Sequence, residues 1–407
     1  MAESLEPYGF QQVPFNEKAD LYVINSCTVT GKADYTSRQM VRRALRNNPG
    51  AKILVTGCYA ELEIESLKKL SQDIFVIGNK AKANLPDFVC ELFAIKCDNG
   101  HRTNTISRMD GYSRAFIKIQ EGCTERCTYC VIWKARGRPW SRDPGEIIYE
   151  INTLYENGYR EVVLTGVHIG KYKNKMTLTE LLKAILDNTS MPRVRLSSLK
   201  PNECKSELLE LVSSQKRICP HIHLPIQSGD DAVLRMMGRK YRANPVASLI
   251  GKLAKLREGM TIGADIIVGF PGEDDMAFAN TYALIEEHPI HHIHVFSYSD
   301  RPGAPAASLP GKVEPSRKAE RSRKLRRLGK IKRTEHMQGF VGKSLDVIVE
   351  NRVRVDHLSG ISGNYLNVEF QGGDELRGKL IEIDISGIGD NALVGTVAQR
   401  AAQKTVD

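Results

Sequence analysis

Hydrophobic and polar positions alternate in two textures over the first hundred residues. Short apolar runs at 21–24 (Leu-Tyr-Val-Ile) and 52–55 (Lys-Ile-Leu-Val) are each followed by helical spacing, from about 33 to 46 and from 60 onward. A βαβα order of this kind predicts a parallel α/β domain. From 115 to 299 the alternation continues through six strand-like runs, at 116–119, 162–164, 194–197, 222–224, 264–268 and 293–297, with helical stretches between them. Six βα units fit an incomplete (β/α)6 barrel better than a flat sheet, with chemistry expected at the strand carboxyl ends. The texture then changes once more. Alternating runs at 345–350, 365–370, 379–385 and 393–397, set off by glycine turns, predict a small all-β barrel. Such barrels bind oligonucleotides or serve as packing modules. The class is therefore α/β with a β appendix, divided at 1–100, 109–338 and 339–403.

Composition narrows the class of function. The chain has 407 residues, 41% hydrophobic and 26% charged, and no apolar run long enough for a membrane span. Met1-Ala2-Glu3-Ser4-Leu5 lacks the basic-then-apolar layout of a secretory signal, so a reducing, cytoplasmic setting is expected. Nine cysteines in such a setting argue for metal or redox chemistry rather than a disulfide framework. The net charge of +10 is uneven: 312–333 holds eleven Lys and Arg against Glu314 and Glu320. This stretch reads as a basic helix, either a solvated face or, with more physical reason, a surface for a polyanion.

The cysteines fall at informative places. Cys27 follows the first strand after Asn25-Ser26, and Cys58 follows the second after Thr56-Gly57. Both lie past strand carboxyl ends, where open α/β sheets hold ligands, although either alone also suits a buried structural cysteine. Cys123, Cys127 and Cys130 form a Cys-x3-Cys-x2-Cys knot after the first barrel strand. Three thiolates on one loop suit a 4Fe–4S cube with one iron left open. Zinc, the alternative, usually joins two cysteine pairs or adds spaced histidines, and no partner pair follows. An open iron can chelate S-adenosylmethionine, whose one-electron cleavage yields a 5′-deoxyadenosyl radical able to take hydrogen from unactivated carbon. Cys90, Cys97, Cys204 and Cys219 show no interpretable spacing.

Cys123, Cys127 and Cys130 match the radical S-adenosylmethionine signature, and their flanks extend the likeness. Lys118-Ile119-Gln120-Glu121-Gly122-Cys123, Ala135-Arg136-Gly137, Ser141-Arg142-Asp143, Leu164-Thr165-Gly166-Val167-His168, His223-Leu224-Pro225-Ile226-Gln227-Ser228-Gly229, 265–273 and 294–299 resemble, in order, the methylthiotransferases. The Val167-His168 and Trp133/Ala135-Arg136-Gly137 regions are most similar to those acting on N6-threonylcarbamoyladenosine in tRNA. The resemblance implies an N-terminal methylthiotransferase domain, here truncated, a radical barrel and a C-terminal TRAM barrel that binds RNA. It also implies two 4Fe–4S clusters, the second on Cys27 and Cys58, with two molecules of S-adenosylmethionine supplying a methyl group and a radical. The implied partner is tRNA, modified at adenosine 37 in the anticodon loop to the 2-methylthio derivative, together with sulfur and electron donors that the sequence does not identify. Thr165, Gly166, Gln227, Ser228 and Asp265, read as strand-end residues, are candidate S-adenosylmethionine contacts or else satisfied turn and core polar groups. Tyr241, Arg239 and Arg242 read as a loop that steers the anticodon stem or is simply solvated.

The pattern also departs from the family. A third N-terminal cysteine, in a Gly-Cys-x-x-Asn segment after an earlier strand, is expected before a sequence like Ala2-Glu3-Ser4. A start further upstream is the expectation, because loss of a core parallel strand leaves an unpaired edge. An incomplete second cluster is the alternative. Lys200 stands where relatives carry an acid before Pro201, and Trp133-Lys134 replaces Pro-Trp. Other substrates, an isopentenyladenosine tRNA or a ribosomal protein, and a catalytically silent RNA-binding relative remain as alternatives.

Overall fold

The computed structural model describes residues 1–97 and 105–398, so the boundaries expected at 100 and 403 lie outside the described residues. The chain forms two compact units. The first comprises 1–106, 122–139 and 299–308, and the second 107–121, 140–298 and 309–407.

In the first unit, β1 (Leu21–Ser26), β2 (Lys52–Gly57) and β3 (Ile74–Ile77) form a parallel sheet in that order. Both faces are covered. Tyr22, Ile24, Ile53 and Val55 pack on Val41 and Ala44 of α1 (Gly31–Asn47), while Leu54 and Ile77 face Leu5, Leu85 and Val89. The Thr30 hydroxyl accepts from Ala33 N and so caps α1, and Asn48, which precedes Pro49, ends it in extended backbone. Cys58 does not lie in a loop: it opens α2 (Cys58–Leu62). Cys90 and Cys97, which carried no reading from spacing, are joined in a disulfide.

The second unit holds two barrels. Strands β4 (Ala115–Glu121), β5 (Glu161–Gly166) and β6 (Arg193–Leu196) pair in parallel, as do β7 (His221–Gln227), β8 (Thr261–Val268) and β9 (His292–Ser297). A single parallel bridge between Val194 and Ile218, with Leu199 N donating to His223 O at 2.9 Å, links the two sets into the incomplete barrel. The basic helix runs Pro315–Gln338, burying Leu325, Leu328 and Met337. Arg321 is buried too: it donates to Glu273 at 2.7 Å and Asp275 at 2.9 Å, so it is an internal ion pair and offers nothing to a polyanion.

The C-terminal barrel has five strands where the alternation gave four: β10 (Ser344–Arg354), β11 (His357–Ser362), β12 (Asn367–Gln371), β13 (Leu380–Ile388) and β14 (Leu393–Val397). They close in the order β10-β11-β12-β14-β13. Strand β11 escaped notice because His357-Leu358-Ser359-Gly360-Ile361-Ser362 is half polar, although Gly360, Ile361 and Ser362 are buried. At 365 the chain is not strand but turn, with Tyr365 at φ +65°.

A buried ion network joins the two barrels. Glu161 receives Arg195 at 2.7 Å, Arg193 at 2.5 Å and Arg114 at 3.5 Å. Burial alone would push this carboxyl up, but the Arg195 and Arg193 guanidiniums outweigh it and hold it below the usual range. Arg195 also donates to Ser362 O and Gly363 O at 3.0 Å, and Tyr365 stacks on His221 at 4.4 Å. Among the described residues no helix is long and apolar enough to cross a membrane.

Candidate functional site

The sheet of the first unit brings its two cysteines together. Ser26 and Gly57 are register partners at the ends of adjacent parallel strands, which lie about 5 Å apart, and Cys27 and Cys58 directly follow them. The approach is close enough that a Cβ on Gly57, at φ +98°, would lie 2.1 Å from Ser26 O. Cys27 is exposed and its N–H donates to the Ser37 hydroxyl at 3.2 Å; Cys58 is buried. Arg136 Nε donates to Cys58 Sγ at 2.8 Å. Burial pushes this thiol up against the pull of the guanidinium.

The same unit contains the knot. Gly122, at φ +81°, starts the loop where a Cβ would lie 2.2 Å from Arg138 O, and Cys123 N donates to Gly137 O at 3.0 Å to close it. Cys127 is buried and Cys123 and Cys130 are half-buried; all three are free thiols. Backbone N–H groups of Glu125 and Ile132 point at Cys123 Sγ (3.5 Å) and Cys130 Sγ (3.4 Å). Thiols on one loop, two of them facing amide donors, are a donor set suited to an iron–sulfur cube, whose sulfurs are tuned by such bonds. Arg126 sits at φ +42° over the Trp133 ring, and Trp133 Nε1 donates to Cys130 O at 3.0 Å. Asn79 donates to Ala135 O at 2.9 Å and Lys134 to Gly303 O at 2.7 Å, so the loop is braced from both other segments of its unit. Spacing gave no sign of Arg136 or Asn79 as supports, because neither contact is local in sequence.

The five candidate cofactor contacts of the second unit fare unequally. Thr165 donates to Ile117 O at 3.2 Å, and a Cβ on Gly166 would lie 2.7 Å from Gln120 O, so these two pack β5 against β4. Gln227 does end its strand, at φ +74°. Ser228 is fully buried, 3.2 Å from the Thr281 hydroxyl and accepting from Asp230 N at 3.1 Å: it is a satisfied turn residue. Asp265 is not at a strand end. It lies within β8 and takes hydrogen bonds from His223 at 2.9 Å and His294 at 3.2 Å. Tyr241 donates to Pro225 O and Ile226 O, and Arg239 to Pro225 O, so these half-buried side chains brace β7, while Arg242 is exposed. His168, from the Val-His pair, is buried against the Glu203 carboxylate, and its N–H donates to Gln120 Oε1 at 2.7 Å. Cys204 and Cys219 are held as neutral thiols by burial, Cys204 pushed up to about 12.

Comparison with known proteins agrees with this anatomy. Residues 117–285 match the radical SAM superfamily, and residues 1–78 match the uncharacterized protein family UPF0004. The chain is 35% identical over 395 residues to the threonylcarbamoyladenosine tRNA methylthiotransferase MtaB of Bacillus subtilis strain 168, covering 93% of this chain and 88% of that protein. It is 36% identical over 392 residues to the protein of the same name from Aquifex aeolicus strain VF5, covering 92% and 93%. Among solved structures, the radical S-adenosylmethionine methyltransferase TsrM of Kitasatospora setae, with cobalamin and a 4Fe–4S cluster bound, superimposes with a TM-score of 0.56 at 15% identity, over 74% of this chain and 68% of that one. At that identity the likeness is one of fold alone. Cysteine pair, cysteine knot, incomplete barrel and closed C-terminal barrel thus coincide with sequence identity along nearly the whole chain, which belongs to the threonylcarbamoyladenosine tRNA methylthiotransferase family of the radical S-adenosylmethionine superfamily.

Proposed function

We propose that this protein converts N6-threonylcarbamoyladenosine at position 37 of tRNA, in the anticodon loop, to its 2-methylthio derivative, with 1–100 delivering sulfur, 109–338 holding the radical chemistry and 339–403 gripping RNA. The observation that carries it is the Arg136–Cys58 bond, which ties the knot segment to the cysteine pair of the α/β sheet inside one compact unit. Sulfur insertion needs a sulfur source beside the site of hydrogen abstraction, and this unit holds both cysteine sets. Cys123, Cys127 and Cys130 hold the superfamily's 4Fe–4S cluster, and Cys27 and Cys58 ligate a second. When bound, the first cluster supplies the electron that cleaves S-adenosylmethionine and opens a C–H bond to sulfur. The chain's own residues bind and orient: the Glu125 and Ile132 amides face the sulfurs, Arg136 offsets the burial of Cys58, and Gly122 keeps the loop entry narrow. The exposed cations of Pro315–Gln338 would neutralise tRNA phosphates. The setting is the cytoplasm.

Mass spectrometry of tRNA nucleosides tests the reading. Cells lacking the gene should lose 2-methylthio-N6-threonylcarbamoyladenosine and regain it with the wild-type chain, but not with Cys123→Ala or Cys58→Ala. Retention of the nucleoside in the deletion strain would refute the substrate, and unaffected tRNA binding without any deoxyadenosine release would favour a silent RNA-binding relative.

A further inference from the structure

The strand order leaves one short element at the rim of the radical barrel. Trp140–Ser141 pairs antiparallel with the end of β4, Trp140 opposite Glu121 and Ser141 opposite Gln120. From there the order runs β4, β5, β6 and, across the Val194–Ile218 bridge, β7, β8 and β9. Among the described residues β4 and β9 do not pair, so the barrel is open on that side and Trp140–Ser141 is its outermost strand. The end of β4 that it flanks is the carboxyl end, where such barrels meet their ligands. A second ribbon fixes it in place. The two-residue strands Lys173–Asn174 and Met176–Thr177 form a hairpin that turns at Lys175, at φ +59°. Lys173 N donates to the Ser141 hydroxyl at 3.0 Å, and Asn174 Nδ2 donates to Ser141 O at 3.1 Å. Next along the chain, Arg142 N donates to Ile119 O at 3.0 Å and its buried guanidinium lies 2.5 Å from Glu150.

This braced rim presents an aromatic ring among cations. Trp140 keeps 50% of its surface open. The chain has two tryptophans, and the other, Trp133, is half-buried with its N–H committed to Cys130 O. Among the described residues the indole N–H of Trp140 has no acceptor. Lys118 Nζ lies 5.6 Å from the centre of the Trp140 ring and is held by Glu121 at 3.0 Å. Lys173 and Lys175 are exposed on the hairpin. Asp143 holds Lys175 at 3.1 Å, and among the described residues Lys173 has no carboxylate partner. The two acids of the rim are thus each matched to a lysine, and one positive charge is left over. Half an indole in water is apolar area that a flat partner can cover. The lysines decide which partner. Protein interfaces are depleted in lysine, whereas sites for unpaired nucleic acid combine an aromatic platform with cations that track the backbone.

We propose that Trp140 is a stacking platform for one unpaired nucleobase of an RNA at the open rim of the radical barrel, with Lys118 and Lys173 neutralising the phosphates that flank that base. This contact differs in kind from phosphate neutralisation along the basic helix. A paired base has both faces taken up by its duplex neighbours, so only a loop, a bulge or a single strand can offer one to the indole. The platform therefore selects unpaired RNA without selecting its sequence, because every base has a face to stack. That the RNA is a tRNA anticodon loop rests on the function proposed above.

The test uses the full chain, reconstituted anaerobically, as wild type, Trp140→Ala, Trp140→Phe and Lys173→Ala at equal iron content. Each is titrated with an anticodon stem–loop, a single-stranded RNA of mixed sequence and a blunt RNA duplex. Trp140→Ala should weaken binding of the stem–loop and the single strand by about tenfold, the loss expected of one base stack, and leave the duplex within about twofold. Trp140→Phe should restore most of that affinity while losing the quench of tryptophan fluorescence that unpaired RNA produces in wild type. The slope of log affinity against log salt should stay as in wild type for Trp140→Ala and fall by about one for Lys173→Ala, because stacking releases no counterions and a phosphate contact does. Changes under about twofold for both unpaired probes would overturn the proposal, as would equal losses for all three probes with a lowered Tm, the mark of a merely structural tryptophan. So would a fluorescence change that grows with protein concentration before RNA is added, which would assign the indole to a second copy of this chain. Failure of the parent reading looks different. If wild type quenches with both unpaired probes but cellular tRNA never carries the methylthio nucleoside, the substrate reading fails and the platform stands. If the nucleoside is made and Trp140→Ala binds like wild type, the platform fails and the substrate reading stands.

Discussion

Gly122 has a left-handed φ and a carbonyl where a side chain would begin, so it can be no other residue without moving Arg138. Gly122→Ala should cost about 1–3 kcal/mol of local strain, enough to open the loop entry; iron and sulfide assays after anaerobic purification should show most of the knot's cluster missing while Cys27 and Cys58 still react as before. Arg136 invites a second measurement. Burial already raises the Cys58 thiol, and the Arg136 guanidinium bonded to its sulfur pulls it back. Arg136→Gln should shift the pH midpoint for alkylation of Cys58 upward by about one unit or more, in line with the ~1–3 units that an adjacent cation supplies. At this scale the sequence was half legible. The spacing of Cys123, Cys127 and Cys130 and the strand-end placement of Cys27 and Cys58 could be read from order alone. Arg136 could not, being 78 residues from Cys58, and Asp265 was misplaced because a run read as 264–268 hides that β8 begins at Thr261 and carries inward side chains well before its end.

Among the elements, the basic helix is the one whose pattern and placement differ most. Its charge run looked uniform, but Arg321 turns inward to Glu273 while Arg323 and Arg327 stay exposed. Arg323→Ala with Arg327→Ala should weaken tRNA binding and reduce the slope of log affinity against log salt by about two, one per lost phosphate contact; filter binding from low to high salt reads it. Near its other end, His336 stacks on His291 at 3.7 Å and shares a hydrogen bond with the Thr261 hydroxyl at 2.8 Å. Burial pushes His291 down to about 3 and His336 to about 4. The unfolded chain takes up these protons near pH 6.5, whereas the folded one does so only well below it. The contribution is therefore complete above pH 6.5 and declines as pH falls toward 4. Tm should drop over that window, and less steeply in His336→Gln. Six barrel strands were legible because each is a β-branched run between helices. Strand β11 was not, because a serine and glycine strand lacks that contrast and owes its burial to closure of the barrel.

At the scale of the whole molecule, the two barrels of the second unit are fastened by Glu161 with its three arginines and by Arg195 on the turn at 362–363. Glu161→Gln would leave Arg193 and Arg195 buried without a counter-charge, while Arg114 keeps Glu350 at 2.7 Å, a change that costs roughly 3–5 kcal/mol when one partner of a buried pair is removed; heat capacity scans should show the C-terminal barrel and radical barrel losing their joint transition. None of this was visible in the sequence, where Glu161 and Arg193 fall just outside the strand-like runs at 162–164 and 194–197 and the turn at 362–363 lies far along the chain.

The chain passes between its two units at 106/107, 121/122, 139/140, 298/299 and 308/309. The unit that holds both cysteine sets is thus stitched from three separate stretches of sequence, and no single cut liberates it. Trimming one end of the gene would not remove the unit cleanly, because 122–139 and 299–308 would remain behind without their bonding partners Asn79, Cys58 and Thr28. The parts are inherited as a braid, and recombination between relatives should be viable only at junctions that keep all three strands of that braid from one parent.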